Sequence, residues 1–443
     1  MKRFLSILLA ILMLAVMLPV TALAANDYVT VSGINGFKNR QFASFEEAYN
    51  AIKPELAALC ESGALGQGGT TAEKFDALFT DRDENGNATL TYTISGNITY
   101  DESTLNNLLT FGREASHYGN DRHLINFQFV GATGRDSDTL TVKSNITLPY
   151  EWWGEKTTTS ISFENLTITG TAPNGLYPTQ AYFDGINFKV DNCKLEGIKI
   201  YNCSNVGGSY TITNNIFDGT NAPQNAYAIH LQGNETAPLT INISNNTISG
   251  YDRGINIDQK TAAATISNNN ISVKDTGRSC IQLSRLASTK VENNTMNLTG
   301  GNAITLHKEL LNCAKPEITV SGNAINGTGY LIYDDSNGAF TNEKLNLTIT
   351  KDNTVAKAVN TTQGVKDGEI HPLSEIVKTT VENNVVPGGS TGGTIVIVPD
   401  RTEDTPKTEP EKNPTTGAND VVAAAVALMA VSALGAAVLT RKK

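Results

Sequence analysis

The sequence predicts an all-β fold, a parallel β-helix with three strands to each coil and about eleven coils. Three observations carry that prediction. An apolar-x-Asn-Asn signal, or a near copy of it, recurs along the chain. The copies are Phe163-Glu164-Asn165, Val190-Asp191-Asn192, Ile212-Thr213-Asn214-Asn215, Ile243-Ser244-Asn245-Asn246, Ile266-Ser267-Asn268-Asn269, Val291-Glu292-Asn293-Asn294, Val320-Ser321-Gly322-Asn323, Ile349-Thr350-Lys351-Asp352-Asn353 and Val381-Glu382-Asn383-Asn384. They step by about 22 to 31 residues, a period that belongs to stacked repeats. Each repeat holds only short β-rich pieces. Residues 239–258 read as strand Leu239 to Ile243, turn Ser244-Asn245-Asn246, strand Thr247 to Ser249, turn Gly250-Tyr251-Asp252 and strand Arg253 to Ile257, with no room for a crossover helix. Finally, Asn suits a corner that must repeat. It tolerates left-handed backbone geometry, and stacked copies can hydrogen-bond along the stack. Asn-Gly hairpin signals between alternating strands are too few for a β-sandwich.

The elements follow in order. Lys2 and Arg3 precede an apolar run from Phe4 to Val20, and Ala22-Leu23-Ala24 offers a cleavage site. Residues 1–24 therefore read as a secretory signal peptide. Residues 25–87 read as a cap. Tyr28 to Ser32 alternates like a strand, and a helix then starts at the N-cap Ser44 with Glu47 in capping-box position. Phe45, Ala48, Tyr49 and Ile52 form its apolar face. A cap is needed because an open coil end exposes core and strand edges. Asp81, Asp83, Asn85 and Gly86 have some calcium-loop character, but Tyr92 falls where the bidentate Glu should be, so a polar turn is the better reading. Residues 88–386 carry the coils, and residues 387–412 are a Gly-, Pro-, Thr- and Glu-rich linker.

The net charge of −10 argues against nucleic-acid binding, and mildly against polyanionic sugars. No metal-ligand spacing or cofactor motif occurs. The five cysteines, Cys60, Cys193, Cys203, Cys280 and Cys313, are odd in number and unevenly spaced. Cys280 reads as core filling, in a column of small residues with Ala228, Gly254 and Ala303. Two readings stand for Cys193 and Cys203: a pair across one coil, or two free buried thiols.

The third strands align as Ala228 to Gln232, Gly254 to Asp258, Cys280 to Ser284, Ala303 to His307 and Tyr330 to Asp334. A period of two points Ile229 and Leu231 inward. One outward column is then His230, Asn256, Gln282 and Thr305, and the other is Gln232, Asp258, Ser284, His307 and Asp334. Lys199 and Tyr201 extend this face upstream. Tyr251, Arg253, Arg278, Arg285 and Lys308 are placed on flanking loops. Such a face offers hydrogen-bonding groups every ~4.8 Å, close to the spacing of sugar rings. His230, Gln232, Asn256, Asp258, Gln282 and Thr305 are the candidate ligand contacts.

A carboxylate pair at glycosidase spacing is missing, because Asp258 and Asp334 lie roughly 14 Å apart on this alignment. Ser284, His307 and Asp334 fall in one column in the chain order of a hydrolase triad. With no oxyanion hole or oriented buried acid in view, solvated polar residues are the plainer reading.

The repeat pattern resembles the right-handed parallel β-helix of the pectate-lyase-like superfamily over roughly residues 88–386, in pattern and not in catalytic motif. In that superfamily glycan chains lie along such a face. At the C-terminus, Asn413-Pro414-Thr415-Thr416-Gly417, the mostly apolar span 421–440 and the basic Arg441-Lys442-Lys443 resemble the sorting signal of Gram-positive cell-wall proteins. Pro414, Thr416 and Gly417 match that pattern, and Asn413 replaces its usual Leu. The resemblance implies a sortase that cuts after Thr416 and joins it to a cell-wall precursor. The alternative is an uncut membrane anchor, since the span is long enough to cross a bilayer. The expectation is a wall-anchored rod for adhesion or glycan binding on a Gram-positive surface. The competing expectation is a polysaccharide lyase or glycoside hydrolase acting on the 228–334 face.

Overall fold

A computed structural model describes residues 27–38, 40–61, 77–84, 86–100, 125–143, 146–147, 160–170, 176–177, 186–203, 208–233, 238–274, 278–363, 365–366, 369–370 and 373–384. The expected signal peptide, linker and sorting signal, with Pro414, Thr416, Gly417 and the span 421–440, lie outside them. The chain divides into two compact units, Met1–Gly389 and Ser390–Lys443, and every described residue belongs to the first. No helix among the described residues is long and apolar enough to cross a membrane.

The first unit is a parallel β-helix. One sheet holds ten parallel strands in sequence order, from Ala88–Ser95 to Asn346–Ile349. At ~4.8 Å per rung that stack is on the order of 45 Å long. A second sheet carries the other two strands of each coil. The coil at 239–258 is built from Leu239–Ser244, Thr247–Tyr251 and Arg253–Asp258, within two residues of the sequence reading.

The Asn-Asn corner divides its labour between its two residues. The first takes left-handed backbone geometry, with φ between 52° and 60° at Asn165, Asn192, Asn214, Asn245, Asn268 and Asn293. Gly322 fills this place in its coil with φ 63°, the one substitution that avoids the Cβ penalty altogether. The second Asn points inward and is buried. Asn246 Nδ2 donates to Ile212 O at 2.8 Å and to Asn269 Oδ1 at 2.9 Å, while its own Oδ1 accepts from Asn215 N and Nδ2, both at 3.0 Å. The same pattern runs through Asn215, Asn246, Asn269, Asn294, Asn323 and Asn353. Upstream, Cys193 and Leu166 hold the equivalent position. Cys193 is a free buried thiol, so it is not paired with Cys203. Its S–H donates towards the carbonyls of Phe163 and Asp191. Cys280 is also free and fully buried, as core filling requires. Gly254 belongs in its column because a Cβ there would meet Cys280 O at 2.1 Å.

Where the Asn ladder is missing, aromatic rings take over the core. Tyr92, Phe129 and Phe163 stack at centroid distances of 5.3 and 5.0 Å, and Phe188 and Tyr210 continue the run. Helix α1 (Phe45–Glu61) closes the lower end. Phe45 packs 5.9 Å from Tyr92 and 6.2 Å from Phe129, and Ala48, Tyr49 and Ile52 are buried beside it. Its start is capped reciprocally: Ser44 Oγ accepts from Glu47 N, and Glu47 Oε2 accepts from Ala43 N. Strand Tyr28–Ser32 pairs antiparallel with the first coil strand and covers its edge. The Asp83 carboxylate accepts from Asn87 N, Asn87 Nδ2 and Asn126 Nδ2.

The upper end differs from the sequence reading. Val381-Glu382-Asn383-Asn384 is not a ninth corner; it is the last turn of helix α2 (Glu375–Asn384). Val377 and Val381 are buried while Thr379 between them is exposed, which fits a helix and not the period of two of a strand. Asp334, Ser336 and Ser374 anchor the chain just before this helix.

Asn246→Ala leaves Asn215 N and Ile212 O without partners inside the core, so it should lower unfolding free energy by about 2–4 kcal/mol. At the neighbouring left-handed position, Asn245→Gly should be close to neutral and Asn245→Val should cost about 1–2 kcal/mol. Urea unfolding of the three variants checks both statements; equal effects at the two positions would contradict the division of labour.

Candidate functional site

Backbone pairing fixes which third-strand residues share a column. Tyr201 pairs with His230, His230 with Asn256, Asn256 with Gln282, Gln282 with Thr305, and Thr305 with Tyr333. The column read from the sequence therefore exists, with Tyr201 at its start as expected, and Tyr333 lengthens it at the other end. Its inner neighbours Ile229, Leu231, Ile255, Ile257, Ile281 and Leu283 are fully buried, which holds the outward residues rigidly.

The second column does not survive intact. A bulge after Ile257 pairs Asp258 with Arg285 instead of Ser284. Another between Thr299 and Asn302 shifts the last coil by one residue, pairing Asp334 with Leu306. Asp334 consequently points inward, where its carboxylate accepts from Ser336 N, Ser336 Oγ and Ser374 N. His307 faces Asp335 instead, with Nε2 3.3 Å from Oδ2, while its Nδ1 accepts from Glu309 N. Ser284 Oγ donates to Asn256 Oδ1 and accepts from Gln282 Nε2. Ser284, His307 and Asp334 thus have separate partners and do not form a relay.

What the fold does assemble is a cluster around His230. Its ring sits 5.1 Å from Tyr201 and 4.9 Å from Tyr227. The Lys199 ammonium lies 5.4 Å from the Tyr201 ring centroid, and the Arg253 guanidinium 4.9 Å from that of Tyr227. Tyr227 OH donates to Gln282 Oε1 and accepts from Arg253. Tyr201 OH donates to Gln232 Oε1. Asp258 is held by the Arg285 guanidinium. Asn256 and Thr305 are 4% and 6% exposed, so they support the surface more than they present one. Tyr251, expected on a flanking loop, is fully buried and donates to Ile198 O at 2.5 Å.

Burial pulls His230 down to about 4 against an opposing pull from the Asp258 carboxylate, and the charges of Lys199 and Arg253 add to the lowering. Burial likewise lowers Lys199. Tyr227 was missed in the sequence because it precedes the aligned strand core. The signal that could have found it is its pairing position opposite Arg253 in the next coil. A separate cleft of about 370 Å³ lies between strands Glu317–Ser321 and Asn346–Ile349 and helix α2, lined in part by Leu347, Ile376 and Thr380.

The sign of the His230 shift gives a pH dependence. Above pH 6.5 the imidazole is neutral in folded and unfolded chains alike. Between 6.5 and about 4 the unfolded chain takes up a proton that the folded one refuses, so stability falls as pH falls, by on the order of 3 kcal/mol. The difference in unfolding free energy between the wild type and His230→Gln should be constant from pH 8 to 6.5 and then change steadily down to pH 4. Parallel curves across that range would show that the imidazole is not desolvated.

No curated protein and no solved structure matches the chain. Residues 164–357 match the family model described as periplasmic copper-binding protein (NosD). The described donors of that span do not gather into a copper centre. Copper favours imidazole, thiolate and thioether ligands together, but Cys193, Cys280 and Met296 are fully buried in the core, and both nitrogens of His307 are taken. Among the described residues no three His, Cys, Asp or Glu side chains could share a metal ion. The likeness to that family is one of coiled β scaffold, over residues 164–357.

Proposed function

We propose that this protein is exported, anchored to a Gram-positive cell wall through its Asn413 to Lys443 segment, and uses the face around His230 to hold a glycan without cleaving it. The observation that carries the binding part is the Tyr201–His230–Tyr227 cluster, set in a column of outward polar side chains on a fully buried strand floor. Rungs ~4.8 Å apart offer repeated hydrogen-bonding groups to a repeating ligand. Rigid, pre-placed donors and acceptors reduce the ordering cost of binding.

The absence of cleavage rests on chemistry. A glycosidase needs one carboxylic acid and one free carboxylate. On this face Asp258 is committed to Arg285, and Asp334 is buried in its serine cage. The location rests on sequence: a signal peptide at one end, and a pentapeptide, apolar span and basic tail in order at the other.

Two experiments test the two halves. In a glycan panel, the full chain should retain at least one polysaccharide. His230→Ala and Gln282→Ala should each weaken retention about tenfold, and no new reducing ends or unsaturated products should form. Products appearing would reverse the reading in favour of a lyase or hydrolase. For anchoring, Thr416→Ala should move the protein from wall digests to the membrane fraction; a variant still covalently in the wall would end the sortase assignment.

A further inference from the structure

From the charges around His230 we infer that the site selects a sugar unit bearing an anionic group, held by Lys199 and Arg253 on either side of the imidazole. The inference rests on the glycan-binding reading above and narrows it.

The geometry is set by the coil register. Lys199 immediately precedes strand Ile200–Cys203, one coil before His230, and Arg253 pairs with Tyr227 in the coil after it. Two rungs separate the cations, ~10 Å along the stack. Both cations lie close enough to act on His230, as does the Asp258 carboxylate, which acts in the opposite sense. Neither is neutralised by a carboxylate among the described residues. Lys199 packs on Tyr201, and Arg253 packs on Tyr227 and gives one N–H to its hydroxyl. Arg253 Nε is buried with no partner among the described residues. The one carboxylate close by, Asp258, is already held by Arg285.

The tyrosine faces that would stack against an uncharged sugar ring are turned to these two cations. What the face offers a ligand is hydrogen-bond donors of positive charge, flanking a neutral imidazole. Charge-assisted hydrogen bonds of this kind are roughly twice as strong as neutral ones, and Arg suits planar oxyanions in particular. The chain's overall −10 does not oppose this, because exposed charges beyond ~8 Å are largely screened at physiological salt.

The test uses matched probes on the full chain. An oligouronide is compared as free acid and as methyl ester, and a sulfated oligosaccharide is compared with its desulfated form. The charged member of at least one pair should bind about tenfold more tightly than its neutral partner. Lys199→Gln and Arg253→Gln should each remove most of that preference, and Arg253→Lys should restore part of it. Unchanged melting temperatures would show that the variants still fold. Which pair responds tells carboxylate from sulfate. If charged and neutral members bind equally, or if the preference survives both Gln variants, the charge selection is wrong while the glycan reading stands. If all four probes fail, along with the polysaccharide panel, the glycan reading and this inference fall together.

Discussion

The buried asparagine at each corner is the constraint on which the rest of this molecule depends. A corner is where the chain leaves one sheet for another, so its main-chain groups lose their strand partners. Buried main-chain groups must nevertheless be satisfied. Asn246 does this for the coil below, receiving Asn215 N and Nδ2, and passes the same demand to Asn269 above. The arrangement closes only if every copy stands directly over the last. Insertions are therefore expelled to the far ends of the strands, and the repeat length can drift from 22 to 31 residues while the corner does not move.

The ladder also explains how the core changes along its length. It begins at Asn215, whose Oδ1 accepts the Cys193 amide, and the aromatic column ends at Tyr210 in the same coil. Below that point Leu166 and Cys193 hold the corner, and stacked rings supply the order that the asparagines supply above. Large rings fill a coil interior without polar help. In the aliphatic coils above, Ile243, Ile266, Val291 and Val320 leave rung-to-rung alignment to the corner. The cluster around His230 lies just above this changeover, where the ladder already fixes each rung.

The legible part of the fold was what repeats. Asn-Asn at a steady period revealed the corner, its left-handed first residue, the strand order and the inward Ile229 and Leu231. The parts that escaped were the exceptions to repetition. Two bulges each shift the register by one residue: one moves Asp258 from Ser284 to Arg285, and the other turns Asp334 from the surface into the core. A bulge leaves little trace in a strand that is already rich in Gly, Ser and Asn. Val381-Glu382-Asn383-Asn384 copied the corner signal by composition alone; the exposed Thr379 between buried Val377 and Val381 marks the helical period that has taken over. Tyr227 and Arg253 were separate residues in the sequence and became one contact only once adjacent coils were placed in register.

Charge illustrates the same gap between composition and placement. The acidic total suggests a surface hostile to anions, yet some of that charge is spent inside the scaffold. Asp138 is buried, and despite the cost of burial its carboxyl is held below its usual range by N–H donors from Gly134, Thr133 and Gly96. Asp334 is likewise consumed by Ser336 and Ser374. A carboxylate whose oxygens are saturated by main-chain donors caps a loop, and it contributes little to the field that a ligand meets elsewhere. Lys199 and Arg253 pack on tyrosine rings and meet no carboxylate among the described residues. Near His230 the cations Lys199 and Arg253 stand with one carboxylate, Asp258, that Arg285 already pairs, so the local arrangement of charge differs from the sum over the chain.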